Sequence, residues 1–236
     1  MIKILIVDDE FHAREELAVL LQELGEVEII GTCASAMDAI KAIKHEHPDV
    51  DFLDIKMPVL DGFDLLGMID DDVMPYIVFV TAFDEYALKA FEEKTLDYLL
   101  KPVDPERLAK TMEKIRAAVA SQNLPNYDIA PLNRIPCVSG HKIKLIDPVA
   151  VEYVHSDISG VRVFSADGGF YTELTLKVLE KRAGYLRCHK QYLVNIDTLD
   201  EIITLDNGQA EIVTRSGHKL PASRRYLRKV KEVFGI

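Results

Sequence analysis

The chain has 236 residues, of which 48% are hydrophobic and 28% charged, the balance of a globular protein rather than a disordered one. No run approaches the ~18 apolar residues of a membrane span. Met1 leads straight into Ile-Lys-Ile-Leu-Ile-Val-Asp-Asp without a basic stretch or cleavage site, so neither membrane insertion nor export is expected. Cys33, Cys137 and Cys188 are odd in number and far apart, which excludes a disulfide scaffold and CxxC zinc sites and points to the cytoplasm. The net charge of −11 is unevenly spread: residues 1–122 carry 12 Lys and Arg against 26 Asp and Glu, net −14, and residues 123–236 carry 16 against 13, net +3. Such asymmetry predicts two domains with different partners.

From the start, apolar runs alternate with helical patterns. Residues 2–7 read as a buried strand, and Ala13, Leu17, Leu20, Leu21 and Leu24 then repeat at helical spacing before a stop at Gly25. A second strand follows at 27–31, a helix at 35–46 with Ala39, Ile40 and Ile43 inward, and strands at 50–55, 76–80 and 96–100. Asp104 and Pro105 supply an N-cap and a first-turn proline to a last helix whose face is Leu108, Met112, Ile115 and Val119. This alternation predicts a five-stranded parallel sheet covered on both faces, with chemistry gathered at the carboxyl ends of its strands.

Those ends carry a coherent set: Asp8, Asp9 and Glu10 after strand one, Asp54 after strand three, Thr81 after strand four and Lys101 after strand five. An aspartate at a strand end is, taken alone, usually a turn former. Three converging carboxylates, however, repel one another unless a hard cation such as Mg²⁺ compensates them. A hydroxyl and an ammonium then remain to hold phosphoryl oxygens, which describes phosphoryl transfer to a carboxylate. A Mg²⁺ phosphatase is the enzymatic alternative, but no general acid stands two residues after Asp54, where Lys56 is found.

The motifs Ile-Val-Asp-Asp-Glu10, Phe-Leu-Asp54-Ile-Lys-Met-Pro-Val-Leu-Asp-Gly62, Val-Thr81-Ala and Leu-Leu-Lys101-Pro resemble the receiver domain of two-component response regulators, over residues 1–121. The resemblance implies a flavodoxin-like fold and Asp54 as phosphoacceptor from a sensor histidine kinase. It implies Mg²⁺ held by Asp9 directly, by Asp8 mainly through water, by Asp54 and by the backbone carbonyl of Lys56. Thr81 and Lys101 would grip the phosphoryl oxygens, and Tyr98 would be the switch aromatic. Asp51 departs from the pattern, falling inside the third strand where an apolar residue is usual; either it is linked to solvent or the strand starts later. Of Phe83, Tyr86 and Phe91, two are expected to pack and one to be exposed as a contact.

Residues 122–133, with two prolines and three asparagines in and around them, read as a linker. Beyond them the pattern changes to short strands at 141–146, 149–154, 161–164, 170–174, 201–205, 209–214 and 219–220, punctuated by Asp167-Gly168-Gly169, Asn207-Gly208 and Ser216-Gly217. Helices are expected only at 175–182 and 223–234, the second with Leu227, Val230, Val233 and Phe234 inward and a basic outer face. No helix-turn-helix can be drawn. Arg187, His189, Lys190 and Gln191 add a second polar cluster of the side chains that contact phosphates and base edges. Cys188 beside His189 reads as a core residue rather than a metal or redox pair.

Leu-Arg-Cys-His-Lys-Gln-Tyr-Leu-Val-Asn195, Asp-Asn-Gly208 and Leu-Pro-Ala-Ser-Arg-Arg-Tyr-Leu227 resemble the LytTR DNA-binding domain, over residues 134–236. That implies a mostly β domain of ten strands that reads promoter DNA through loops, with contacts from Arg162, His189, Lys190, Arg224 and Arg225. With Ala-Phe-Asp-Glu-Tyr-Ala-Leu-Lys-Ala-Phe91 and Asp-Asn-Gly-Gln-Ala-Glu211, the whole chain resembles the BtsR subgroup of such regulators. A homodimer on paired half-sites is expected after phosphorylation, since a domain of charge +3 is a modest ligand for DNA on its own. An RNA- or protein-binding output is the alternative, and few exposed aromatics in the β half argue against stacking of single strands.

Overall fold

The computed structural model describes residues 1–121, 125, 127, 129–140, 142–205 and 209–235. Parts of the expected linker, His141 and the Asp-Asn-Gly208 turn lie outside the described residues. The chain forms two compact units, Met1–Ala130 and Pro131–Ile236.

In the first unit β1 (Ile2–Val7), β2 (Val27–Cys33), β3 (Val50–Leu53), β4 (Tyr76–Thr81) and β5 (Asp97–Leu100) pair in parallel, in the order β2-β1-β3-β4-β5. The helices are α1 (Phe11–Glu23), α2 (Ala36–Glu46), α3 (Gly62–Met68), α4 (Ala87–Glu92) and α5 (Pro105–Ala120). Gly25 follows α1 at φ +67°, the left-handed stop its position predicts. Asp104 caps α5 by accepting a hydrogen bond from Arg107 N at 2.8 Å, with Pro105 in the first turn. One face of the sheet, carrying Ile4, Ile6, Phe52 and Val78, is buried against Leu17 and Leu21 of α1 and Leu108, Met112 and Ile115 of α5. Each such side chain contributes about 1.5–3 kcal/mol of burial free energy. Helices α3 and α4 have no clear signal in the sequence. Both are short, and α3 is buried on nearly every side, so no amphipathic period marks it.

Two carboxylates in this unit behave in opposite ways. Asp51 lies within β3 between Leu5 and Ile77, fully buried, with neither oxygen hydrogen-bonded among the described residues. It is therefore not linked to solvent, and the strand does not start after it. Desolvation drives its carboxyl well above the ordinary carboxylate range. Asp97 at the start of β5 is also largely desolvated, but it accepts from Arg107 at 2.6 and 2.8 Å and from Thr111 at 2.8 Å, and it pairs with Lys114 at 3.1 Å. Burial pushes its carboxyl up, and these α5 donors outweigh burial and hold it well below the usual range. After α5 the chain returns to the sheet: Tyr127 OH accepts from Ile77 N at 2.7 Å and donates to the Pro75 carbonyl at 3.1 Å, at the amino end of β4.

In the second unit β6 (Ile135–Ser139), β7 (Lys142–Ile146), β8 (Val151–Asp157), β9 (Gly160–Ser165), β10 (Gly168–Thr172), β11 (Leu186–His189) and β12 (Tyr192–Val194) form an antiparallel sheet in the order β11-β12-β8-β9-β10-β6-β7. A second sheet joins β13 (Leu199–Thr204), β14 (Ala210–Thr214) and β15 (Lys219–Ala222). Helices α6 (Leu176–Arg182) and α7 (Arg224–Val233) complete the unit. Leu186, Cys188 and Val194 of the larger sheet, Ile212 and Leu220 of the smaller and Val230 of α7 share one core. Strands β6, β11 and β12 are additional to those expected from the sequence. The inward face of α7 is narrower than expected: Val230 is buried and Leu227 half-buried in the core the helix shares with β11, but Val233 and Phe234 are 49% and 42% exposed. Among the described residues no helix is long and apolar enough to cross a membrane.

The two carboxylates give opposed predictions. Asp97→Asn should cost about 1.5–3 kcal/mol at neutral pH through the loss of charged hydrogen bonds. Because the folded-state pKa of Asp97 is depressed, its contribution is fully present above the unfolded value of about 4 and is lost only as pH falls from there through the depressed folded value. Urea melts at pH 7 and pH 3 should show the cost of the variant beginning to shrink in acid without vanishing. Asp51→Asn should instead stabilise the protein at neutral pH by roughly 1–3 kcal/mol. A raised folded-state pKa means stability is lost as pH rises above a pH of about 4, so the advantage of Asn should grow from pH 4 upward. A gain independent of pH would refute a desolvated Asp51 carboxyl.

Candidate functional site

The sheet itself positions the candidate residues. In the order β2-β1-β3-β4-β5 the connections diverge on either side of β1, which opens a crevice at the carboxyl ends of β1 and β3. Asp8 N donates to Cys33 O at 3.0 Å, Asp54 N to Val7 O at 2.8 Å and Lys101 N to Thr81 O at 2.9 Å. Each residue is thus the first beyond its strand and still tied to the neighbouring one. Asp8, Asp9 and Asp54 each place an oxygen so that all three lie within 4.8 Å of one another.

The side chains compensate part of this charge. Lys101 Nζ lies 2.6 Å from Asp8 Oδ2 and 3.5 Å from Asp54 Oδ2. Asp54 Oδ1 accepts from Ile55 N at 2.8 Å, and Asp8 Oδ1 accepts from Glu10 N at 2.9 Å. Burial raises the Asp54 carboxyl above its ordinary value, the Lys101 ammonium opposes this and Asp8 reinforces it. Burial pulls Lys101 down, but Asp8 and Asp54 outweigh it and hold the ammonium above its usual range. The hydroxyl of Thr81 is fully buried, and it has no hydrogen-bond partner among the described residues. The donor set is all oxygen, with net negative charge and one exposed carboxylate, Asp9. It fits a hard divalent cation such as Mg²⁺, which retains several waters. A cleft of about 350 Å³ opens beside it, lined by Asp8, Glu10, Glu16, Ala82, Lys101 and Pro102.

Gly62 is the residue whose position matters most without chemistry of its own. Its N–H donates to Ile55 O at 2.9 Å, and a Cβ there would come within 2.6 Å of Asp54 O and 3.0 Å of the Phe79 ring. Only glycine lets the start of α3 close onto the Asp54 backbone. A capping box between Asp61 and Asp64 fixes that helix start. Tyr98 sits half-buried on β5 and donates a short hydrogen bond to the Phe83 carbonyl, and burial with Asp84 and Glu85 pushes its phenol up to about 12. Tyr86 packs on Phe63 at 6.1 Å, but Phe83, 6.2 Å from Tyr86, is exposed, as is Phe91, so two of these three aromatics rather than one are exposed. Lys56 is exposed, with its ammonium 4.8 Å from the Tyr86 ring centre.

In the second unit, the chain brings two distant basic segments together. Ser223 N donates to Cys188 O at 3.0 Å, so the start of α7, with exposed Arg224 and Arg225, adjoins the end of β11, where His189 closes the strand and exposed Lys190 begins the turn to β12. Gln191 N donates to His189 Nδ1 at 3.3 Å, and burial followed by Lys190 and His155 lowers the imidazole below its ordinary value. Arg162 is not out on the β8–β9 turn. It lies within β9, half-buried, over the Phe164 and Tyr171 rings at 5.1 and 5.0 Å. The three cysteines are free and buried, and desolvation pushes each thiol up to about 12.

A doubly wound sheet with carboxylates, hydroxyl and ammonium on its carboxyl edge, followed by a β-rich basic unit, defines a response regulator with a DNA-binding output. The family model for the response regulator receiver domain matches residues 4–113, and that for the LytTr DNA-binding domain matches residues 141–235. The chain belongs to the two-component response regulators that join a receiver to a LytTR domain, a family of phosphorelay-controlled transcription factors rather than enzymes. It is 52% identical over 241 residues to the transcriptional regulatory protein BtsR of Escherichia coli, covering 100% of both chains. It is 49% identical over 240 residues to an uncharacterized response regulatory protein of Vibrio vulnificus, covering 100% of this chain and 99% of that one. An uncharacterized response regulatory protein of Shewanella oneidensis is 48% identical over 236 residues, with 100% of both covered.

Gly62→Ala should destabilise the protein by about 1–3 kcal/mol through overpacking and slow phosphoryl incorporation from a small acyl phosphate. Thermal unfolding and radiolabel uptake measure the two effects. Uptake at the wild-type rate would show that the loop yields without moving Asp54.

Proposed function

We propose that Asp54 accepts a phosphoryl group from the phosphohistidine of a sensor histidine kinase, and that this changes dimerisation and promoter binding by the LytTR domain. Residues 1–121 are assigned to the receiver, 122–133 to the linker and 134–236 to the DNA-binding domain, in a protein that works in the cytoplasm. What supports this above all is the Asp54 carboxylate, fixed through Val7 O and Ile55 N and faced by the Lys101 ammonium at 3.5 Å. The P–N bond of the donor breaks as a P–O bond to Asp54 forms, and the imidazole leaves with a proton.

Asp9 would hold Mg²⁺ directly, Asp8 mainly through water, with Asp54 and the Lys56 carbonyl completing the protein ligands. Bound there, the cation would neutralise charge on the transferring phosphoryl group. Lys101 would release Asp54 and pair with a phosphoryl oxygen, and the unpartnered Thr81 hydroxyl would donate to another. Tyr98 would turn inward as Thr81 moves, biasing the surface of the domain. In the second domain Lys190 and His189 from one loop, and Arg224 and Arg225 from the start of α7, contact DNA, with Arg162 on a phosphate. A homodimer would place two such domains on paired half-sites of the promoter.

Radiolabel from a phosphodonor should enter the wild-type chain and not Asp54→Asn; persistent labelling of the variant removes Asp54 as acceptor. Footprints of the phosphorylated and unphosphorylated forms should differ in affinity or extent, and identical footprints would end the gating model.

A further inference from the structure

Five residues on five adjacent strands share one row of the larger sheet of the second unit. His189 of β11 pairs with Tyr192 of β12, Tyr192 with His155 of β8, His155 with Arg162 of β9, and Arg162 with Tyr171 of β10. Directly opposed residues of antiparallel strands share a face, so this row runs across four strand spacings, about 19 Å. Its members touch. The His155 and Tyr192 rings stack at 4.3 Å and 18°, His189 lies 5.8 Å from Tyr192, and Arg162 covers Tyr171 at 5.0 Å. The Ser159 hydroxyl, in the β8–β9 turn, is 3.2 Å from the Tyr171 hydroxyl.

Arg162, fourth in the row, is a cation without a close anion: among the described residues it forms no ion pair, although its charge reaches the Asp157 carboxylate, and its Nε is buried without a hydrogen-bond partner. The nearby carboxylate is already engaged: Asp157 Oδ1 accepts from Ser159 N at 2.8 Å and from the Ser159 hydroxyl, and Oδ2 lies 3.8 Å from His155 Nδ1. The sheet is also cleared for the guanidinium. A Cβ at Gly169 would stand 2.9 Å from Arg162 Nη2 and 2.7 Å from the Phe164 ring, so a side chain there would displace both. Few aromatics of this half are exposed, as expected: among the described residues Tyr171 and Phe234 are, at 41% and 42%, while on this face Tyr153, Phe164 and Tyr192 are half-buried and Tyr153 and Tyr192 lean on the core shared with the smaller sheet.

We propose that this row is a binding strip for the phosphate backbone of duplex DNA, with Arg162 as its principal contact and Tyr171, Ser159 and His155 as flanking donors. It rests on the reading that the second domain binds DNA, and adds the sheet face to the loops at its two ends, the Ser159 turn and the His189–Lys190 turn. A planar guanidinium held on aromatic rings, flanked by hydroxyl and imidazole groups, suits phosphate oxygens rather than base edges. The strip therefore fixes the position of the duplex without reading its sequence.

The test uses the full-length chain with a mixed-sequence 30-base-pair duplex and one of its single strands, titrated by fluorescence anisotropy between about 50 and 200 mM salt. Arg162→Met should flatten the plot of log affinity against log salt by about 0.9, the effect of one lost phosphate contact. A purely structural role would lower the melting temperature without moving that slope. Tyr171→Phe keeps the ring and the fold, and should weaken binding by about 2- to 10-fold. Unchanged binding of Tyr171→Phe together with an unchanged slope for Arg162→Met overturns the strip. Should Arg162→Met fail to fold, the Tyr171→Phe result alone decides. Lys190→Gln and Arg225→Gln test the loops separately: if they weaken binding while the strip variants do not, the loop reading stands and the strip fails. If neither loop variant weakens binding, the loop reading itself is lost. Tighter binding of the single strand than of the duplex would also overturn the proposal, in favour of base stacking on the aromatic face.

Discussion

The receiver is organised around a repulsion that it does not fully relieve. Asp8, Asp9 and Asp54 converge because backbone bonds tie Asp8 to Cys33 and Asp54 to Val7 on the neighbouring strands, and those bonds cannot be given up without disrupting the sheet. Lys101 offsets part of the charge, but it is shared between Asp8 at 2.6 Å and Asp54 at 3.5 Å and cannot satisfy both equally. Burial makes every remaining imbalance more costly than it would be in water. Such a site has excess negative charge to offer a cation and a lysine free to change partners. Both properties come from the same crowding, and neither needs a mobile loop.

Much of this was readable in the sequence because the strands are continuous apolar runs and the functional residues stand at their ends. Asp8, Asp54, Thr81 and Lys101 are found by where periodicity stops. Gly62 was visible as a letter in a motif, but its reason is the 2.6 Å approach to the Asp54 backbone, which no local pattern encodes. Asp51 was visible as an anomaly, and its surroundings were not. Burial of a central parallel strand comes from tertiary packing, and a single acidic residue does not stop the strand from forming.

The second domain was harder to read, for physical reasons. Strands β11 and β12 are four and three residues long, too short for alternation to stand out, and Leu186 and Cys188 face the core while Arg187 and His189, alternating with them, look like a polar cluster. The family resemblance supplied the loops. It did not supply the row across the sheet, because that row is made of residues 34 positions apart that only strand register brings side by side. Tyr153 and His155 did alternate with buried neighbours, and the composition of their face was the available clue.

The cysteines described above have a practical consequence. Cys33, Cys137 and Cys188 are all buried and held in the thiol form, so the native chain presents no reactive thiolate near neutral pH. One cysteine introduced on the surface of each unit would then be the only fast-reacting sulfur there. The natural sequence can carry a pair of fluorophores without first being stripped of its own thiols, and the distance between the units can be followed while a phosphodonor is added.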